Sequence, residues 1–344
     1  MLRHIKFFII AVAIVSALLG GYFFIKHRAP AMPQATVTSS DTPHQEFGLH
    51  QSYFSQSEFF DKSFQTAALK PIAPDPSVSA VLVNHHLLAG SFIAETMGVV
   101  ASDEPTTVIL VSPNHFNVGS ADMISSMYDW QTPYGILLSE QNVIRKLQKQ
   151  GVSVEELPFK GEHGVSGIIP YIKKTMPNAS IVPIILKDKT SSQEIESLTK
   201  AVTESTTGRV IMVASVDFSH YLPSPVSDFH DVLSKHVLHS LDQSESLDRL
   251  ETDSRPSIRF LVQYAVKRNT QKFTLLKHSN SSVVLKDFSI TNGTSYITGY
   301  FSPGDRVKDS HKTILIGGAI NSSSALSEIL DKQKDSYIFS SSVR

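Results

Sequence analysis

Val108-Ile109-Leu110-Val111-Ser112-Pro113-Asn114-His115 is the stretch on which the reading of this chain turns. Four consecutive apolar residues with no polar alternation are what a strand buried on both faces of a parallel sheet looks like. Pro113 cannot continue such a strand, so the chain turns there and leaves His115 at the tip. Two other runs finish the same way: Ala80-Val81-Leu82-Val83 before Asn84-His85-His86, and Val210-Ile211-Met212-Val213 before Ser215-Val216-Asp217-Phe218-Ser219-His220. If the three are neighbouring parallel strands, their carboxyl ends gather the histidines at the edge where α/β proteins place ligands.

Outward from these runs, residues 79–302 alternate strand and helix patterns, which predicts one α/β domain with a central, largely parallel or mixed sheet flanked by helices. Helical spacing falls at 88–100, 140–150, 164–176, 192–204, 226–241 and 257–267. Strand-like runs fall at 181–186, 272–276, 282–288 and 295–301, and the segment with Trp130, Pro133 and Tyr134 reads as irregular. Residues 303–344 form a C-terminal extension with one further apolar run, Thr313 to Ile320.

Ahead of the domain, an uncharged apolar stretch from Phe7 to Ile25 lies between Arg3 and Lys6 on one side and Lys26, His27 and Arg28 on the other. At ~1.5 Å rise per residue a helix there approaches bilayer thickness, so residues 1–28 are expected to be a single-pass membrane anchor. The flanking charges lean towards the domain on the extracytoplasmic side. Residues 29–78, with Pro30, Pro33 and Pro43 among polar residues, read as a linker. Within it Ser55 and Glu58 have capping-box spacing ahead of Phe60, Phe64 and Ala67 on one helical face.

With 31 basic residues against 32 acidic ones, the chain offers no general surface for nucleic acid. It has no cysteine, which excludes disulfides, thiolate ligands and a cysteine nucleophile. Any transition-metal site must therefore use histidine and carboxylate. No phosphate-binding glycine loop, dinucleotide fingerprint or nucleophile elbow is present.

His115 is the strongest single candidate. An Asp three residues before a His, as in Asp217 and His220, can accept the imidazole N–H and fix its tautomer; it is equally the pattern of a helix N-cap. Glu162-His163 opens the helix pattern at Gly164, where Glu162 suits the helix dipole and His163 could act as acid or base. His85 and His86 are adjacent, so on extended backbone they face opposite ways. His236 and His239 share a helical face but lack a metalloprotease pattern and read as surface residues.

In order, these motifs and a closing Ser295-Tyr296-Ile297-Thr298-Gly299-Tyr300-Phe301 strand resemble the Memo-like family, whose bacterial members are called AmmeMemoRadiSam system protein B. The resemblance covers roughly residues 75–302 and implies a fold similar to the class III extradiol (LigB-type) ring-cleaving dioxygenases, which use non-haem iron. By that resemblance the metal ligands fall on His85, with His86 open as an alternative, and on His115. A third ligand, cysteine in the family, falls on Asp253 of Asp253-Ser254-Arg255. Asp217, His220 and His163 would then be the nearby catalytic groups, with Asp217 orienting His220.

Two histidines and a carboxylate suit Fe(II), with zinc or manganese as other occupants, rather than a soft metal. The resulting expectation is a membrane-tethered metal protein with redox or dioxygenase-like chemistry on a small molecule. A metal-dependent hydrolase and a non-enzymatic module binding a small ligand or peptide are the alternatives.

Overall fold

The computed structural model describes residues 44–308. Twelve strands form its sheet: β1 Leu49–Gln51, β2 Ala80–Val83, β3 Thr106–Pro113, β4 Met123–Ser125, β5 Asp129–Thr132, β6 Gly135–Ser139, β7 Ser153–Val154, β8 Ala179–Leu186, β9 Val210–Ser215, β10 His220–Leu222, β11 Lys272–Asn280 and β12 Gly293–Ser302. The main path runs β1-β5-β6-β8-β3-β9-β2-β12-β10, with β11 against β12 and β4 against β7 and β8. From β6 to β2 every pairing is parallel, whereas β12 is antiparallel to β2, β10 and β11. The sheet is therefore mixed with a parallel centre, and the three histidine-tipped strands are the consecutive neighbours β3, β9 and β2.

Strand geometry explains the unbroken apolar runs. Successive side chains point to opposite faces, and helices cover both faces. Ile109, Val111, Met212, Ala214 and Leu82 join one core with Ile195, Leu198, Phe260 and Leu261 from the helices Ser192–Ser205 and Arg255–Lys267. Val108, Leu110, Ile211, Val213, Val81 and Val83 join the other with Ile93, Met97, Ile169 and Ile172 from the helices Gly90–Gly98 and Ile169–Thr175.

Several local expectations are corrected. Residues 282–288 do not form a strand: Asn280 accepts a hydrogen bond from Val283 N–H at 3.1 Å and starts the short helix Ser281–Leu285. The helix expected over 164–176 is two pieces, His163–Ser166 and Ile169–Thr175, with Gly167 between them and Pro170 in the first turn of the second. The segment around Trp130 supplies three short strands.

Upstream, β1 pairs with β5, and the helix Ser57–Ala67 buries Phe60 against Tyr171. Its N-cap is Gln56 without a side-chain bond, so the Ser55–Glu58 box is not formed.

The membrane expectation is corrected as well. Among the described residues no helix is long and apolar enough to cross a membrane. The stretch 1–28, on which the anchor was expected, lies outside them, so the single-pass anchor and the extracytoplasmic placement have no support. The run Thr313 to Ile320 also lies outside the described residues.

Candidate metal centre

Because β9 lies between β3 and β2, the residues after its end reach both neighbours. Ser215 closes β9, and its hydroxyl donates to Gly164 O at 2.6 Å. The same oxygen is 3.2 Å from His85 Nδ1 and can only accept there, so the hydrogen-bond network places the His85 proton on Nδ1. Two residues on, the Asp217 carboxylate accepts the backbone N–H groups of His85 and His86, each at 3.1 Å. That bond pair holds the tip of β2 in place and directs the His85 ring inward.

His115 is fixed from its other side. Glu162 is fully buried; Oε1 accepts His115 Nδ1–H at 2.6 Å and Oε2 accepts His115 backbone N–H at 3.0 Å. Oε1 also accepts Gly164 N–H at 3.0 Å, capping the short helix. A buried carboxylate bonded to one imidazole nitrogen fixes the tautomer and makes the opposite nitrogen a better electron-pair donor.

The third component comes from the turn before the helix Arg255–Lys267. An isolated bridge joins Phe218 to Thr252, Asp253 N–H donates to Asp217 O at 3.1 Å, and Asp217 N–H returns to Asp253 Oδ2 at 3.1 Å. The Asp253 carboxylate is thereby set beside both imidazoles, with Oδ2 3.1 Å from His85 Nε2 and 3.7 Å from His115 Nε2. His163 completes the group: its ring stacks on that of His115 with centroids 4.0 Å apart and meets His85 edge to face at 5.2 Å.

Donor atoms of His85, His115 and His163 all lie within 4.8 Å of one another, and the same holds for His85, Asp217 and Asp253. Two buried atoms here make no hydrogen bond: His85 Nε2, whose neighbour is Asp253 Oδ2 in an ion-pair contact, and Asp253 Oδ1. A lone pair facing a carboxylate across a buried gap is costly unless a cation or a proton lies between them.

The electrostatics agree with that requirement. Burial disfavours charge on His85, but Asp217 and Asp253 outweigh it and raise its pKa. Burial likewise opposes charging of His115, and Asp253 and Glu162 push it up to about 9. Burial and the neighbouring His115 and His85 carry His163 the other way, down to about 4. Desolvation opposes charge on Asp253, yet His85 and His115 hold its carboxyl well below the usual range. Without a metal, protons hold the carboxylates and imidazoles together; a divalent cation can replace them.

Of the residues singled out from sequence, His85, His115, His163, Asp217 and Asp253 converge. His86 does not: its Nδ1 is 2.8 Å from Tyr296 Oη, away from the cluster. His220 also differs from expectation, because the Asp217 carboxylate is taken up by the His85 and His86 amides and makes no hydrogen bond to His220. Adjacency on an extended chain accounts for the first outcome; the strand-to-strand bracket accounts for the second.

Glu162 as the partner of His115, and Ser215 as the partner of His85, were not singled out for those roles. Only the Glu162-His163 pair gave a sequence signal. A further polar group, Asp228, Asp231 and His278, is closed by its own bonds: Ser295 Oγ and His278 Nε2 donate to Asp231, and Lys235 Nζ reaches His278 Nδ1.

Gly164 is required by close approach. A Cβ on it would fall 2.0 Å from Ser112 Oγ and 3.3 Å from both Glu162 Oε1 and His115 Cε1. Gly164→Ala is expected to destabilise the protein by about 1–3 kcal/mol through overpacking, read from the denaturant midpoint. An unchanged midpoint would show that this contact is soft.

A family model described as "Memo-like protein" matches residues 52–297, well over half of the chain. A "MEMO1 family protein" of Caldivirga maquilingensis is 27% identical over 187 residues, 52% of this chain and 66% of that relative. One of Pyrobaculum aerophilum is 28% identical over 190 residues, with the same two shares, 52% and 66%. One of Metallosphaera sedula is 24% identical over 265 residues, 70% of this chain and 93% of the relative. The match thus spans slightly less than two-thirds of the first two relatives and nearly all of the third. With the family model covering the parallel centre of the sheet and every converging residue, the chain belongs to the Memo-like protein family.

Proposed function

We propose that this protein binds one divalent metal ion through His85 Nε2, His115 Nε2 and the Asp253 carboxylate. The observation that carries the reading is that His85 Nε2 and Asp253 Oδ2 face each other at 3.1 Å, with His85 Nε2 making no hydrogen bond, beside a His115 whose Nδ1 is already bonded to Glu162. Two imidazoles and one carboxylate form a borderline-to-hard donor set, which favours Fe(II), with manganese and zinc next, and disfavours a soft ion. When bound, such an ion supplies open coordination positions for redox or oxygen chemistry on a small molecule.

The residues around the site have their own tasks. Asp217 holds the His85 backbone, and Glu162 and Ser215 keep both rings in the donor tautomer. His163, with its pKa lowered to about 4, stays neutral at pH 7 and can accept a proton or a hydrogen bond from a substrate hydroxyl. His220 lies close enough to lower the pKa of Asp253. A small-molecule substrate fits this reading better than a macromolecule, because the donors are buried at a strand edge.

The test is equilibrium dialysis of the full chain, purified without oxygen, against Fe(II), Mn(II) and Zn(II) separately. One equivalent is expected in the wild type, with loss of binding in both His115→Ala and Asp253→Ala while each variant keeps its circular dichroism spectrum. Retention of metal by both variants would sink the ligand set. Stoichiometric zinc with no affinity for Fe(II) would replace the redox reading with a hydrolytic one.

A further inference from the structure

The helix Ser224–Ser240 buries Ser227, Asp231, Ser234, Val237 and Leu238. Its opposite line carries Pro225, Phe229 and Val232 at positions i, i+4 and i+7, all exposed, Phe229 to 74% and Val232 to 60%. A row of apolar side chains on one helix line differs from scattered surface exposure and marks a face that another segment covers.

The end of the described chain points to its occupant. His239 falls on the same helix line as Pro225, Phe229 and Val232, in the last turn. Its carbonyl accepts the backbone N–H of Val307 at 3.0 Å. The chain beyond residue 308 therefore starts at the foot of the uncovered face. Five residues later the sequence reads Thr313-Ile314-Leu315-Ile316-Gly317-Gly318-Ala319-Ile320, an uncharged run of matching character. From Val307 to Ile316 an extended chain spans up to roughly 30 Å, whereas the helix rises only about 15 Å from Phe229 to His239. The run reaches the whole face.

We propose that residues 313–320 of the same chain dock on the Pro225, Phe229 and Val232 face of this helix. Continuity at Val307, the apolar character of both partners and sufficient reach carry the assignment. A second copy of the protein would need an outside partner for a face that its own chain already borders.

Because the chain has no cysteine, introduced thiols are unique and the contact can be trapped directly. Full-length Val232→Cys is combined in turn with Ile314→Cys, Ile316→Cys and Ile320→Cys and oxidised mildly. At least one pair is expected to close within a single chain in most molecules, seen as a monomeric, reducible change in gel mobility. Failure of all three pairs overturns the proposal, as does a disulfide-linked dimer of the Val232→Cys single variant, which would assign the face to a second copy. Amide hydrogen exchange across 224–240 is expected to quicken severalfold in full-length Ile316→Asp. Unchanged exchange there also counts against docking.

Discussion

Full-length Glu162→Ala is expected to lose about 3–5 kcal/mol of stability and roughly 10–100-fold in metal affinity. Glu162 is fully buried and accepts three hydrogen bonds, from His115 N, His115 Nδ1 and Gly164 N. Its removal strands three buried donors at once and frees the His115 ring to turn. Unfolding in urea gives the first quantity and competition with a chromophoric chelator gives the second. Glu162→Gln separates charge from geometry: it retains one carbonyl acceptor for His115 Nδ1 but not the negative charge. It is expected to recover part of the stability while the His115 pKa, followed by its imidazole NMR signal, falls from about 9 towards the ordinary value. A Glu162→Ala protein as stable as the wild type would show that the carboxylate has no structural role.

The second large effect is a reversal of pH dependence between the metal-free and metal-loaded protein. His115 rises from 6.5 to about 9 on folding. A raised pKa contributes stability fully present below the unfolded value and lost as pH climbs through the folded one. Metal-free protein is thus expected to lose up to about 3 kcal/mol between pH 6.5 and 9, at 1.36 kcal/mol per pKa unit. His85, also raised, acts in the same direction. His163, lowered to about 4, acts on the acid side and costs stability as pH falls below 6.5.

Metal binding must displace the proton on His115 Nε2. Apparent affinity is therefore expected to rise about tenfold per pH unit for each proton displaced over that same window. Chemical denaturation at saturating metal against the metal-free form, from pH 6 to 9.5, reads both trends. Parallel curves for the two forms would mean that no ligand proton is released.

The fold was legible where one physical rule acted alone. Unbroken apolar runs require two covered faces, so β2, β3 and β9 could be read as buried strands from their composition; that they are parallel neighbours was a supposition, which their pairings bear out. The helices at 192–204 and 257–267 followed from spacing. Legibility failed where tertiary contacts outvote local preference. Ser282 to Leu285 is rich in β-branched residues, yet an Asn280 cap turns it into a helix. The short strands β4, β5 and β6 are completed by β1, β7 and β8, so no local pattern announces them.

The same contrast holds at the site. Histidines at strand tips are visible in a sequence, as is an Asp three residues before a His. That Asp217 serves the amides of His85 and His86 is a relation across 132 and 131 positions. Spacing carries no trace of it. Glu162 is similar: beside a helix start it reads as dipole compensation, and only the approach of β3 makes it the anchor of His115.

The bracket at the end of β9 has a consequence for how such a centre changes over time. Both imidazoles are held by groups outside the proposed ligand set, Ser215 and Asp217 on one side and Glu162 on the other. The remaining donor rides on a separate turn, joined to the rest through backbone bonds at Phe218, Thr252 and Asp253 that do not depend on the side chain at position 253, and through one bond from Asp217 N–H to the Asp253 carboxylate that does. On the proposed ligand set, a change at position 253 alone exchanges sulfur for oxygen, or soft for hard, while the hydrogen bonds that seat the two imidazoles stay as they are.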